Sequence, residues 1–431
     1  MLGRLLLTAS LRADTLCALV TLRSFAPIVI ALGMSSHLMA QGCIGDVSNP
    51  STFLTGPTVF PAGTRPGGVA VGDFNQDGRA DVAVATSNSA LVLLGNGDGS
   101  FQPAANVAPL ASPQAIAVAD FNGDGKSDLV TANFSSNDIS ILLGNGAGAF
   151  SAPANFPAGV NPFSLAVADF NGDGHADVAA GNLDATVSIL FGIGDGTFSP
   201  ATSIIVGTSA NFTLRVLSAD FNRDGHPDLA VADGSTNTVA ILLGTGTGSF
   251  SPPARFPVGL TPIAITSGDI DGDGFLDLAT ANVFSNNVTI LFGTGTGSFQ
   301  PAISVTFNSI FFGGPFAIAY GDYNNDGHGD LAVANNAIST IAILFGGPGR
   351  SILVPPARFF TGVGPAQPSG LASADLNRDG RLDLVVANPN TNDVGILMNV
   401  CNPIILPTPT LSSYALVALA AALAMVAART I

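Results

Sequence analysis

Glutamate is missing from this chain: all 30 acidic residues are Asp. Lysine occurs once, at Lys126, tryptophan never, and there are four histidines and three cysteines in 431 residues. Each shortage excludes something. Fourteen basic residues against 30 acids, a formal net charge of −16, leave no basic surface to neutralise a phosphate backbone, so no nucleic-acid partner is expected. Cys17, Cys43 and Cys401 form no CxxC pair and no Cys/His cluster, which argues against zinc. With no Trp, and only Tyr320 and Tyr323 between residues 41 and 402, the sequence offers little for stacking sugars. Charged residues make up 10%, well under the usual quarter, while a 47% hydrophobic content can bury a large core.

The two ends read as addresses. Residues 1–40 carry Arg4, Arg12 and Arg23 and an apolar run over 25–34, with Leu38 and Ala40 placed for cleavage, the pattern of a secretory signal peptide. At the other end a Pro-rich linker, 403–410, precedes an apolar segment within 411–431 that has no charge before Arg429. A helix over 411–428 would span about 27 Å, enough for a hydrocarbon core. "PTLSS", a short apolar helix and a terminal Arg resemble the PTLS-type C-terminal sorting signals of bacterial surface proteins; a single-pass anchor is the alternative. Either places the body of the chain, 41–402, outside the cytoplasm, with membrane contact only through the C-terminal helix.

What the body has in abundance is one motif, D-x-[N/D]-x-D-G-x-x-D. Its seven copies begin at Asp73, Asp120, Asp169, Asp220, Asp269, Asp322 and Asp375, 47 to 53 residues apart. Such a period signals a propeller, a solenoid or an array. One period, 161–206, resolves into short strands at 164–168, 177–180, 187–191 and from Phe198 onward, separated by Gly/Asn/Asp turns. No helical apolar period appears between the two ends. Runs such as "LVLLG" and "VAILLG" are apolar on both faces, as expected of blades packed face to face. The fold class expected is all-β: a seven-bladed β-propeller of four-stranded antiparallel blades. The seventh repeat lacks a fourth strand, and "STFLTGPTVFPAG" at 51–63 resembles the fourth-strand text "GSFSPPARFPVG" at 248–259. The N-terminal strand is therefore expected to close the last blade and hide its edge. That brings Cys43 towards Cys401, and a disulfide is expected there, contributing about 4–5 kcal/mol at most.

The motif supplies oxygen donors at positions 1, 3, 5 and 9, a carbonyl at position 7, and Gly at 6 for a sharp turn. Those are the ligand rules of a calcium loop, except that Asp at position 9 replaces the Glu at 12 of an EF-hand. The expected metal ligands are Asp73, Asn75, Asp77 and Asp81 in the first copy, and Asp120, Asn122, Asp124 and Asp128 in the second. Copies three and four offer Asp169, Asn171, Asp173 and Asp177, then Asp220, Asn222, Asp224 and Asp228. Copy five offers Asp269, Asp271, Asp273 and Asp277, with Asp where the others have Asn. Copies six and seven offer Asp322, Asn324, Asp326 and Asp330, then Asp375, Asn377, Asp379 and Asp383. Three carboxylates so close repel unless a cation joins them. Ca2+, about seven ions with one per blade, suits them better than Mg2+, which demands tighter octahedral geometry. Asx turns without metal are the bland alternative.

These residues resemble the FG-GAP/VCBS repeats, whose relatives include the integrin α-chain propeller, over about 51–400. The resemblance implies a calcium-braced propeller at a cell surface or in the extracellular space, in adhesion or ligand binding. An integrin α-chain carries such loops in some blades only, whereas here all seven have one, so integrin-like recognition does not follow.

Chemistry is not evident. His175, His226 and His328 fall at position 7, where the carbonyl binds metal and the side chain is expected to face solvent; Arg79, Lys126, Phe275 and Arg381 share that slot. The Asp residues outside the loops, such as Asp98, Asp138, Asp184 and Asp195, sit mostly in turns, and no GxSxG, P-loop or HExxH occurs. The Phe residues after each opening Asp and after each Gly-rich turn are expected in the core. The reading is an exported adhesion or ligand-binding module, not an enzyme, for an extracellular protein or glycan. A secreted polysaccharide lyase and a structural surface-layer component are the alternatives.

Overall fold

The computed structural model describes residues 54–208, 214–306, 314–352, 357–361 and 365–400, and the backbone of a hairpin pairing Leu7–Arg12 with Thr15–Val20. One compact unit is Gly45–Cys401; a second comprises Met1–Ile44 and Asn402–Ile431. The expected cleavage site, the 411–431 helix and the Cys43–Cys401 disulfide lie outside the described residues.

Seven four-stranded antiparallel sheets make up the body. Each is a meander around one Asp motif. In blade 2 the strands are Pro113–Ala119, Asp128–Asn133, Asp138–Leu142 and Ala154–Pro157, with Val118 opposite Leu129 and Ile141 opposite Val130. The first strand of every blade touches the first strand of the next, blade 7 touching blade 1, so the sheets form a ring with the first strands innermost. Burial follows that geometry. Second strands such as Asp128–Asn133 and Asp228–Asp233 are buried throughout, while fourth strands such as Ala154–Pro157 form the exposed rim. This is why the second and third strands read as continuous apolar runs.

The core is a set of wedges between neighbouring blades. One joins Val187 and Ile189 of blade 3 to Val216 and Val231 of blade 4; another joins Val82 and Leu93 of blade 1 to Val385 and Ile396 of blade 7. Phe residues form rungs across these seams, edge to face: Phe74 on Phe150, Phe121 on Phe198, Phe170 on Phe250 and Phe221 on Phe299, with centroids 5.6–6.0 Å apart. Both expected Phe sets are thus packing residues, and a recurrent motif Phe always meets a turn Phe of the following blade.

In blade 7, Gly370–Ala374, Asp383–Asn388 and Asp393–Leu397 are followed laterally by Thr58–Pro61, with Phe60 opposite Val394. That register matches Phe256 opposite Val239 in blade 4. Leu54 bridges Asn399 as Phe250 bridges Gly244.

One expectation needs correction. The third strand of blade 3 is Thr186–Leu190 and the fourth is Thr202–Ile205. Phe198 does not open the fourth strand; it folds back within the Gly-rich turn to bridge Gly192. Among the described residues the body also holds one helical turn, the 3-10 turn Asn336–Ile338, between the second and third strands of blade 6.

Candidate metal centres

Each Asp motif is the loop between a blade's first and second strands. Its turn needs left-handed backbone twice. The position-6 glycines, Gly78 to Gly380, have φ of 74–85°, where a Cβ is penalised. Position 4 is left-handed as well: Gly123, Gly172 and Gly272 in three copies, but Gln76, Arg223, Asn325 and Arg378 in four, with φ of 55–63° for the non-glycines. This second requirement was hidden in the sequence because only three copies spell it with Gly.

The turn gathers oxygens. In copy one the Asp77 and Gly78 N–H groups donate to Asp73 at 3.2 and 2.8 Å, Asp77 N–H also to Asn75 Oδ1 at 3.1 Å, and Arg79 N–H to Asp77 Oδ1 at 2.9 Å. The same net recurs in the other copies, for example around Asp220, Asn222 and Asp224. In copy five, Asp269, Asp271 and Asp273 each bring a carboxylate oxygen within 4.8 Å of the other two, among the described residues the one cluster of three acids so close. Oxygens on a shell of about 2.3–2.6 Å around one ion lie within such a spread, so this donor set fits a hard, oxygen-seeking cation.

The closing Asp is placed differently from the other three expected ligands. It is buried, and both oxygens accept backbone N–H groups. Asp81 takes Phe74 N–H at 2.8 Å and Gly95 N–H at 2.7 Å. Asp228 takes Phe221 and Gly244, Asp330 takes Tyr323 and Gly346, and Asp383 takes Leu376 and Asn399, all at 2.7–2.9 Å. Position 9 therefore ties the loop to the turn after the third strand. In the six blades other than blade 7 glycine stands at that turn, and a Cβ at Gly95 would lie 2.1 Å from the Ala80 carbonyl.

Burial raises the pKa of every closing Asp, and the neighbouring Asp carboxylates add to the rise, while the two backbone N–H groups offset part of it. Asp177 and Asp383 are pushed up to about 6, Asp277 to about 7 and Asp330 to about 8. A carboxyl whose folded pKa exceeds its unfolded value holds more protons folded than unfolded, so its contribution to stability is present at low pH and lost as pH rises through the folded pKa. The metal-free protein is expected to melt at falling temperature from pH 5 to pH 8. Divalent cation should flatten that slope by taking the place of the proton; calorimetry at both pH values checks it.

The loops also hold the ring. The position-2 carbonyl of one blade accepts from the following blade's Gly-rich turn: Gly148 N–H to Phe74, Gly196 to Phe121, Gly248 to Phe170, and Gly99 of blade 1 to Leu376 of blade 7. Position-4 side chains reach the position-6 carbonyl of the next loop: Gln76 to Gly125 at 3.2 Å, Arg223 to Gly274, and Arg378 to Gly78 from blade 7 to blade 1.

The position-7 side chains do more than face solvent. His175, His226 and Phe275 lie over Gly194, Gly246 and Gly295, where a Cβ would meet their rings at 2.3–2.4 Å. His328 is half-buried, with Nδ1 lacking a hydrogen-bond partner among the described residues. The extra acid of copy five has a tethered counter-ion: Arg350 Nε sits 3.2 Å from Asp271 Oδ2, with the guanidinium over Phe292. Arg350→Ala is expected to tighten cation binding at this one loop a few-fold, since a competing positive charge is gone. It should cost the metal-free fold about 1–3 kcal/mol, because the buried Asp271 loses its counter-ion; isothermal titration against wild type reads the first and thermal melts the second.

A second recurrent site escaped the sequence reading. Five residues after each closing Asp stands a buried Thr, Asn or Asp that pins the next turn. Asn133 donates to Asp138 and Ser140, Asn282 to Asn287 and Thr289, and Asp233 accepts from Ser235 and Thr236. The endings "TAN", "AGN", "VAD" and "VAN" were its signal.

A family model described as an FG-GAP-like repeat matches residues 73–131, 120–180, 169–231, 220–280 and 277–333, and one described as an FG-GAP repeat matches 368–397. No curated protein matches the chain in sequence. Among solved structures, an Agrocybe aegerita lectin that recognises non-reducing terminal N-acetylglucosamine is similar at 16% identity and a TM-score of 0.50, covering 87% of this chain and 93% of its own. BBS1N in complex with ARL6DN is similar at 13% identity and a TM-score of 0.51, covering 82% and 96%. At such identities the likeness is one of fold.

Proposed function

The chain belongs to the FG-GAP repeat family, and from that premise we propose that it is an exported, non-catalytic binding module whose ring is braced by calcium at its Asp loops. The observation that carries this reading is the coupling of each loop to the next blade. A cation at positions 1, 3 and 5 stiffens the same segment whose position-2 carbonyl and position-2 side chain grip the neighbouring turn. Filling the loops then tightens the seams of the ring, and the ions act as folding ligands. Seven ions, one per blade, is the stoichiometry the repeat suggests. The signal-peptide pattern and the PTLS-like tail support a place outside the cytoplasm, where calcium is plentiful and the Cys43–Cys401 bond can form. Binding, with no turnover, suits a site chemistry in which the closing acids are occupied by backbone and two of the three loop histidines are exposed.

The test is retention of the purified full chain on immobilised extracellular-matrix proteins and glycans, with calcium and with EDTA. Calcium-dependent retention on a defined ligand supports the module. Absence of retention together with turnover of a polysaccharide would replace it with the enzyme reading.

A further inference from the structure

Most basic side chains of the described residues serve the fold or stand in solvent. Arg79, Lys126, Arg255, Arg350 and Arg381 pair with Asp at 2.8–3.5 Å, and Arg223 and Arg378 donate to loop carbonyls. Arg65 and Arg358 are exposed. Arg215 does none of these things. It is the second residue of blade 4's first strand, Leu214–Ala219, in the innermost layer of the ring and at the end away from the Asp loop. The other blades carry Gly68, Ala115, Ser164, Ala264, Ala317 and Gly370 at the equivalent place, five residues before the opening Asp.

Arg215 is partly buried, and its Nε is fully buried with no hydrogen-bond partner among the described residues. Its Cζ lies 4.2 Å from the ring centroid of Phe163, in the approach to blade 3's first strand, and Phe163 meets Phe134 of blade 2 edge to face at 6.1 Å. Three successive blades thus contribute to one aromatic-backed cation. Burial pushes its pKa down to about 10, which leaves it protonated at neutral pH. A guanidinium buried at Nε without a counter-ion gives up solvation there that stacking on one ring offsets only in part. No carboxylate pairs with it among the described residues, and the preceding segment 209–213, Ser-Ala-Asn-Phe-Thr, contains no acid. In a chain with 30 acids, Arg215 is held against Phe with no acid paired to it among the described residues.

We propose that Arg215, backed by Phe163 and Phe134, is a carboxylate-binding site near the centre of the propeller face opposite the Asp loops. The planar guanidinium fork matches the two oxygens of a carboxylate, and the Phe rings supply an apolar wall. The carboxylate can be that of an acidic sugar or of a peptide C-terminus. The inference gives the ligand-binding reading a chemistry and rests on it, but the assay below reads Arg215 alone, whereas that reading is decided by retention in the surface screen.

The experiment titrates the calcium-loaded full chain with sodium glucuronate, N-acetylglycine and glucose. The expected result is binding of at least one acid, none of glucose, and a loss of at least about tenfold in Arg215→Gln, with Arg215→Lys intermediate because it keeps the charge and loses the fork. Glucuronate alone points to an acidic sugar, N-acetylglycine alone to a peptide terminus, and either supports the site. Binding of neither acid, or equal binding by wild type and Arg215→Gln, overturns it. Should Arg215→Gln not fold, phenylglyoxal labelling of wild type mapped by mass spectrometry takes its place. Protection of Arg215 by the bound acid supports the site, and labelling unchanged by either acid overturns it.

Discussion

Chelation with EDTA is expected to lower the melting temperature of the full chain by at least about 10 °C, and calcium to restore it. The size follows from linkage. A ligand that binds only the folded state, at a hundredfold excess over its Kd, contributes about 2.7 kcal/mol per site, and the repeat offers seven candidate loops. Each conversion is discounted by the backbone N–H groups that already hold the loops without metal, such as Gly78 on Asp73 and Gly225 on Asp220. The fold should therefore survive chelation in weakened form, with far-ultraviolet circular dichroism retained at low temperature. A melting temperature unmoved by EDTA, with one or two ions per chain by elemental analysis, would remove calcium as a brace and leave a specialised metal site in its place.

Asp228→Ala is expected to destabilise the protein by about 3–5 kcal/mol whether or not calcium is present. Its carboxylate is wholly buried and satisfies the Phe221 and Gly244 N–H groups at 2.8 and 2.7 Å. Removing it strands two buried donors, each costing about 1–3 kcal/mol, and opens a small void. Asp220→Ala in the same loop is the contrast. Asp220 is only partly buried and its bonds are to a solvent-facing turn. That variant should lose about one ion per chain, with a stability deficit that is large in calcium and small in EDTA. Denaturant melts of both variants in both conditions separate the roles. Equal, calcium-dependent deficits would mean that the closing Asp works mainly as a metal ligand and not as a tie between loop and turn.

Much of this was legible in the sequence, for physical reasons. A two-residue side-chain period and turn chemistry are local, so strands such as Ser164–Ala168 and Asp177–Gly181 could be placed closely. The oxygen donors are also local, since one tight turn carries positions 1, 3 and 5. What escaped were properties of neighbours in space. Of the two backbone bonds on each closing Asp, the one from the turn pairs residues 14 to 16 apart, as in Gly95 on Asp81 and Gly244 on Asp228. The stacking of His175 over Gly194 and the cover of Asp271 by Arg350 are likewise contacts that no local pattern specifies.

By itself, then, the sequence determined the repeat, the all-β meander and the oxygen-rich turn, because each depends on residues within one period. Tertiary structure alone decided which loop atoms are free and which are held by backbone, which blade grips which, and that Arg215 lies against Phe163 with no acid paired to it among the described residues. The last two depend on how far one blade is rotated from the next. That rotation is set by the wedges of side chains between blades, and the residues that meet there are some fifty positions apart in the chain.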